Sequence, residues 1–223
     1  MYLIVRTKDR LKETLKQFSL YKLEAEVFSV SSLEYNKLVI PEEVEGLVVT
    51  SPNAVITIPE TKLPLFCVGA RTAQEATDAG LRVLHTGERD AQLLAEDIVK
   101  RFPKEILLHV CGDQVDTSWY EYLEGRGFKV VPKEVYHTVY TDKISDDVLT
   151  GLHENKYKNI LFFSPKGAKH FAELAQKYKL DCSKFRAVAL SENVAQPLVG
   201  FAEVKVVDKP SLPSMIQFLK TQK

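Results

Sequence analysis

The chain has 223 residues, with 30 basic and 30 acidic side chains giving a formal net charge of zero; 45% is hydrophobic and 27% charged. Such a balance is that of a globular protein and excludes a disordered or fibrous chain, and without a basic surplus it argues against nucleic-acid binding. The longest clean apolar stretch, residues 63–70, falls well short of the roughly 18 that span a bilayer, and the run Tyr2-Leu3-Ile4-Val5 is too short for a signal peptide's apolar core.

Residues 2–6 read as a buried strand, followed by a helix with Leu11, Leu15 and Phe18 on one stripe. Further strands are predicted at 25–30, 46–50, 64–68, 81–84, 105–111, 128–131, 159–163, 186–190 and 203–207. Helical patterns lie between them. Examples are Leu93, Leu94, Ile98 and Phe102; Ala168, Phe171, Ala172 and Ala175; and finally Leu212, Met215, Ile216 and Leu219. Strands alternating with helices of this length imply parallel sheets built from right-handed βαβ units, so the fold class is α/β.

A weak internal repeat organises the chain. Residues 46–54 (Gly-Leu-Val-Val-Thr-Ser-Pro-Asn-Ala) resemble residues 159–167 (Asn-Ile-Leu-Phe-Phe-Ser-Pro-Lys-Gly). Each copy continues to another strand and then to 68–74 or 190–196, the second copy carrying a nine-residue insertion. A strand–helix–strand unit, 105–131, follows the first copy, whereas its counterpart, 2–30, precedes both. If each domain needs all three units, the second copy is completed only by the N-terminal segment. That predicts two flavodoxin-like parallel-sheet domains: an inserted one at 35–139, and a discontinuous one made of 1–34 and 140–223. Linker strands at about 35–41 and 133–141 would join them. The alternative is that strand–Ser-Pro–helix units simply recur in α/β folds.

Ser51-Pro52 and Ser164-Pro165 each follow an apolar strand. Serine favours the N-cap and proline the first helical position. Free backbone N–H groups at Asn53 and Ala54, and at Lys166 and Gly167, are expected to face the crevice outside the carboxyl ends of the strands, where open α/β sheets bind ligands and helix N-termini favour anions. Ordinary capping is the plainer alternative. A second helix start, Gly69-Ala70-Arg71-Thr72-Ala73, offers a close backbone approach, a positive charge and a hydroxyl; its counterpart begins Ser191-Glu192-Asn193. Arg6, at the end of the first strand, is a further candidate anion ligand.

Other signals carry less. The five histidines (His85, His109, His137, His153, His170) show no metal-ligand spacing. The three cysteines (Cys67, Cys111, Cys182) include no Cys-x-x-Cys and suit a reducing cytoplasm. Cys111 beside His109 is better read as inert core than as a nucleophile. Asp113 and Asp116 read as loop and cap residues. With no Gly-x-Gly-x-x-Gly or Walker motif, no cofactor is called for.

Taken together, Ile4-Val5-Arg6, Val49-Thr50-Ser51-Pro52-Asn53-Ala54-Val55, Val68-Gly69-Ala70-Arg71-Thr72-Ala73 with Gly80, Val135-Tyr136-His137-Thr138 and Phe162-Phe163-Ser164-Pro165 resemble the uroporphyrinogen-III synthase family over nearly the whole chain. The departures are Val5 and Thr7 around the early arginine, Ser191-Glu192-Asn193-Val194-Ala195 in place of Gly-x-x-Thr-Ala, and no arginine after Gly112. The resemblance implies two α/β domains joined by a pair of strands. It also implies a cytoplasmic, monomeric enzyme without cofactor that cyclises hydroxymethylbilane, a linear tetrapyrrole with eight carboxylates. In that reaction the hydroxymethyl group leaves as water, the resulting azafulvene is attacked by the substituted carbon of the last pyrrole, and a spiro intermediate reopens and recloses with that ring inverted. The resemblance assigns Tyr136 as general acid and Thr72 as a carboxylate-binding or orienting residue. Arg6, Ser51, Asn53, Ala54, Gly69, Arg71, Ser164, Lys166, Gly167, Ser191 and Asn193 are expected to bind substrate, with local positive charge also from Lys169. A non-enzymatic hinge-type receptor for a small anion is the competing reading.

Overall fold

The computed structural model describes residues 1–221. In chain order the elements are β1 (Tyr2–Thr7), α1 (Lys8–Leu20), β2 (Ala25–Tyr35), β3 (Gly46–Val49), α2 (Pro52–Val55), β4 (Leu65–Val68), α3 (Ala70–Asp78), β5 (Val83–Gly87), α4 (Ala91–Arg101) and β6 (Ile106–Gly112). They continue with α5 (Ser118–Glu124), β7 (Lys129–Tyr140), α6 (Asp146–His153), β8 (Asn159–Phe162), α7 (Pro165–Lys177), β9 (Arg186–Ala189), α8 (Glu192–Ala195), β10 (Glu203–Val206) and α9 (Leu212–Thr221). The α/β class holds, and strands alternate with helices except where β2 is followed directly by β3. No helix among the described residues is long and apolar enough to cross a membrane.

The chain divides into two compact units, one formed by Met1–Leu33 with the segment from Val139 onward, the other by Glu34–Thr138. In the discontinuous unit the sheet order is β10-β9-β8-β1-β2, with β1 parallel to both β2 and β8. Successive side chains of a strand point to opposite faces. Leu3 and Val5 therefore join Phe28, Phe162 and Phe171 on one side, while Ile4 joins Phe18, Val188, Met215 and Leu219 on the other.

In the contiguous unit the order is β7-β6-β3-β4-β5, again parallel. Leu47, Val49, Leu65 and Cys67 pack with Ala54 of α2 and Ala76 of α3; Val48 and Phe66 pack with Leu94 and Ile98 of α4 and Trp119 and Leu123 of α5. Strands covered on both faces need unbroken apolar runs, which is why β3 and β4 are apolar at nearly every position. Burying each such side chain contributes about 1.5–3 kcal/mol.

Several boundaries differ from the sequence reading, β2 among them, which runs past 30 to Tyr35. The fifth strand begins at Val83 rather than at 81, because Gly80 (φ 77°) closes α3 and the Leu81 amide donates back to the Ala76 carbonyl at 2.9 Å. That is a glycine-terminated helix end, and it consumes Leu81 as part of the cap. No strand occupies 36–41: β2 ends at Tyr35, so the expected linker strand there is corrected, and Pro41 has no N–H to extend a ladder. The strand expected at 128–131 and the linker strand expected at 133–141 are one element: β7 runs unbroken from Lys129 to Tyr140, and the division between the two units falls within it, after Thr138.

Candidate active site

At the carboxyl ends of β3 and β6, beside β7, the contiguous unit holds a cavity of about 190 Å³, lined by Thr50, Ser51, His109, Gly112, Trp119 and Tyr136 among others. Tyr136 reaches it through an irregularity of pairing. Cys111 opposes Glu134, yet the next residue, Gly112, opposes Tyr136, so Val135 is skipped. Such a bulge bends a strand and re-aims its side chains. Here it sends Val135 fully into the core, with its carbonyl accepting from the Asn36 amide at 2.8 Å. The Tyr136 carbonyl accepts from Asp113 N–H at 3.0 Å, and the Tyr136 ring sits 6.1 Å from that of Tyr35. The ring leans on Gly112: a Cβ there would meet Tyr136 Cε2 at 2.5 Å.

Behind the cavity lies a polar chain that sequence reasoning missed. His109 is 1% exposed, with Nε2 3.0 Å from Thr50 Oγ1 and Nδ1 2.6 Å from the Tyr120 hydroxyl. Burial pushes the His109 pKa down to about 4, so the ring is neutral at physiological pH, and burial pushes the Tyr120 phenol up to about 12. Trp119 stands edge-on to His109 at 5.0 Å, fixed by its own indole N–H donating to Asp116 O at 2.9 Å. Cys111 is buried, its thiol donating to Lys133 O at 3.5 Å and its pKa raised by burial, in keeping with inert core.

The helix starts behave as caps. Ser51 Oγ accepts from Asn53 N–H at 3.3 Å, and Ala54 N–H donates to Ser51 O at 3.1 Å. Ser164 Oγ accepts from Gly167 N–H at 3.1 Å. The expectation of free amides at Asn53, Ala54 and Gly167 is therefore corrected: each is consumed by its own cap, and Ala54 and Gly167 are buried. The helix after Ser51 is only four residues long, so its amides fold straight back on the cap.

The other expected residues separate into small groups. Gly69 is the N-cap of α3, at φ 78°, with no atom within 4 Å of where a Cβ would stand, so its backbone is open to approach. Arg71 is exposed, whereas Thr72 is 3% exposed, and neither is among the residues lining the Tyr136 cavity. In the discontinuous unit, α7 and α8 pack together and carry Ser164, exposed Lys166 and Gly167 on one, Ser191 and exposed Asn193 on the other. Ser191 caps α8 without a side-chain hydrogen bond. Arg6 is already engaged: it donates to Thr14 Oγ1 at 2.6 Å and stacks over the Phe163 ring at 4.5 Å. Of the expected residues, the structure thus brings Ser51 and Tyr136 into one cavity. Among the described residues no group of three or more His, Cys, Asp or Glu is placed to hold a metal ion.

The geometry has relatives. The fold is similar to the crystal structure of uroporphyrinogen-III synthetase from Helicobacter pylori 26695, at TM-score 0.67 and 17% identity over 100% of this chain and 99% of that one. A mutant uroporphyrinogen III synthase from Thermus thermophilus aligns over 99% of this chain and 97% of its own at 15% identity and TM-score 0.49. No curated protein sequence matches the chain. The model of the HEM4 family, uroporphyrinogen-III synthase HemD, matches residues 9–217, nearly the whole sequence. The chain belongs to the uroporphyrinogen-III synthase family.

Proposed function

We propose that the chain closes hydroxymethylbilane to uroporphyrinogen III as a cyclising hydro-lyase of tetrapyrrole biosynthesis, with Tyr136 as the general acid. The observation that carries the Tyr136 assignment is the bulge at Cys111 and Gly112, which turns the phenol of a strand residue into a cavity at the carboxyl ends of the sheet. The family match favours this reading over a non-catalytic hinge-type receptor.

The bilane closes unaided, without inverting its last ring. The enzyme's work is therefore to hold the reacting ends so that one closure wins, an orientation effect. A difference of roughly 3 kcal/mol between the two barriers suppresses the wrong product by more than a hundredfold. Tyr136 donates its proton as the hydroxymethyl C–O bond breaks, so that water departs. The tyrosinate regains a proton at the final closure, when the free α-carbon of the last pyrrole, having attacked the methylene carbon, gives up its hydrogen and the ring becomes aromatic again. Thr72, at the start of α3, orients the substrate. The helix-start residues Gly69, Arg71, Ser164, Lys166, Ser191 and Asn193, and Arg6 at the end of the first strand, are the contacts offered to substrate carboxylates. The free thiols of Cys67, Cys111 and Cys182 support work in a reducing cytoplasm.

The test is direct. The purified protein is given freshly generated hydroxymethylbilane and the type I and type III isomers are separated. Predominance of type III is expected; a product mixture identical to the uncatalysed one ends this reading.

A further inference from the structure

Among the described residues, none that lines the cavity receiving Tyr136 is a cation. The polar lining consists of Thr50, Ser51, His109, Gln114, Asp116 and Tyr136, and His109 is uncharged. The one carboxylate among them, Asp116, is held ionised by its bonds to Ser118, whose amide donates to Oδ1 at 2.9 Å. A pocket with a fixed negative charge and no positive one is a poor place for a substrate carboxylate. It suits a neutral group, such as an alcohol that departs as water.

We infer that Thr50 is a second hydrogen-bond donor to the departing hydroxyl oxygen, with its proton aimed into the cavity by the Tyr120–His109 pair; this rests on the proposed role of Tyr136 in the same cavity. The direction follows from the donor inventory. A neutral imidazole has one N–H and one bare nitrogen, and the bond made at one nitrogen fixes the role of the other. The 2.6 Å contact between Tyr120 and Nδ1 is short for an N–H donor and fits a phenol donating to the bare ring nitrogen. Nε2 therefore carries the hydrogen and donates to Thr50 Oγ1 at 3.0 Å. With Nε2–H occupying a lone pair of Thr50, the Thr50 hydrogen is left to point away, into the cavity.

In the step itself the C–O bonding pair leaves with the oxygen, Tyr136 transfers the proton that makes it water, and the pyrrole nitrogen's electron pair, pushed through the ring, forms the exocyclic double bond of the azafulvene in its N-protonated form. Thr50 transfers nothing. It stabilises negative charge as it builds on oxygen, and a preorganised neutral donor of that kind is typically worth about a hundredfold in rate. His109 and Tyr120 are positioning residues: they touch Thr50 and each other, and they set which way a hydroxyl points.

The experiment has a spectroscopic and a kinetic arm. In wild-type protein labelled with ¹⁵N-histidine, long-range ¹H–¹⁵N correlation at pH 7 is expected to show His109 protonated at Nε2 and bare at Nδ1; the opposite tautomer overturns the inference. With hydroxymethylbilane, Thr50→Val and His109→Leu are expected to lower kcat about a hundredfold while KM stays within about twofold. His109→Gln, which returns an N–H near the position of Nε2, is expected to recover most of kcat. A rise in KM at constant kcat makes Thr50 a carboxylate contact and overturns its role as a donor to the leaving oxygen. If His109→Leu fails to fold, Thr50→Val and the tautomer decide. Failure of wild-type protein to form the type III isomer ends the parent reading and this role with it. Formation of that isomer with undiminished kcat in Thr50→Val ends this role alone.

Discussion

Tyr136 rests on the bare Cα of Gly112, so closely that a methyl group on that carbon would stand 2.5 Å from Cε2, 2.6 Å from Cζ and 3.0 Å from the hydroxyl oxygen. The two residues are also register partners across the bulge. Glycine is required here for space rather than for its dihedral angles, since its φ is not positive. Gly112→Ala is therefore expected to swing the Tyr136 ring out of the cavity while leaving the β6–β7 ladder intact. A displacement of about 1 Å can cost roughly a hundredfold in rate. Circular dichroism unchanged from wild type, with a large fall in type III formation, is the expected pair of results.

Tyr136→Phe separates the hydroxyl from the ring. The ring's contacts with Gly112 and Tyr35 survive, so the midpoint of thermal unfolding should move little. Loss of the general acid is expected to lower kcat by about 10²–10⁴-fold, with KM nearly constant. Full activity in this variant removes Tyr136 from the chemistry and leaves it as packing beside Gly112.

Capping distinguishes Ser164 from Ser191 in the discontinuous unit. Ser164 Oγ accepts from the Gly167 amide, whereas Ser191 makes no side-chain cap bond. Ser164→Ala should cost about 1 kcal/mol of stability, typical of a lost N-cap, and Ser191→Ala distinctly less. Urea unfolding of the two variants at one pH measures the difference; equal losses contradict the assignment of Ser164 as the working cap.

The parts of the fold that local chemistry dictates were readable from the sequence. Runs such as 46–49 and 65–68 are apolar at nearly every position because both faces are covered, and Ser-Pro marks the start of α2 and α7 as it should. Arg6 was found at the end of β1 for the same reason, though not its engagement with Thr14 and Phe163. What depends on register was not readable. The strands at 128–131 and 133–141 were legible, but not that they are one: the pairing with β6 carries β7 straight through Pro132, as far as Gly112 opposite Tyr136. Thr50 and His109 lie 59 positions apart, and only the pairing of β3 with β6 puts them 3.0 Å from one another. The spacing of His109 and Cys111 along one strand was visible, but it drew the eye to the thiol, whereas the imidazole holds the network. At Asn53, Ala54 and Gly167 the plainer alternative of ordinary capping is the one realised, although a sequence shows a cap residue without showing which donor it satisfies.

His109 also makes a prediction about pH and stability. Its pKa is about 4 in the folded protein and 6.5 by default, the difference arising from burial. Between those values the unfolded chain binds the proton that the folded one refuses, so stability rises with pH across the window and falls as acid is added. The contribution is fully present above about pH 6.5, and by pH 4 roughly 3 kcal/mol of it is gone. Glu26, held below the usual carboxylate range first by its bond from Lys156, loses its own contribution only at still lower pH, whereas Glu105, raised by burial, pulls the slope the opposite way, so the comparison with a variant lacking the ring is what isolates the histidine. Urea unfolding at pH 7, 6 and 5 is expected to show a slope that His109→Gln, with no titrating ring, flattens. Parallel slopes in the two proteins mean that His109 stays accessible to protons, and the neutral imidazole behind Thr50 is then lost as a physical basis for directing that hydroxyl.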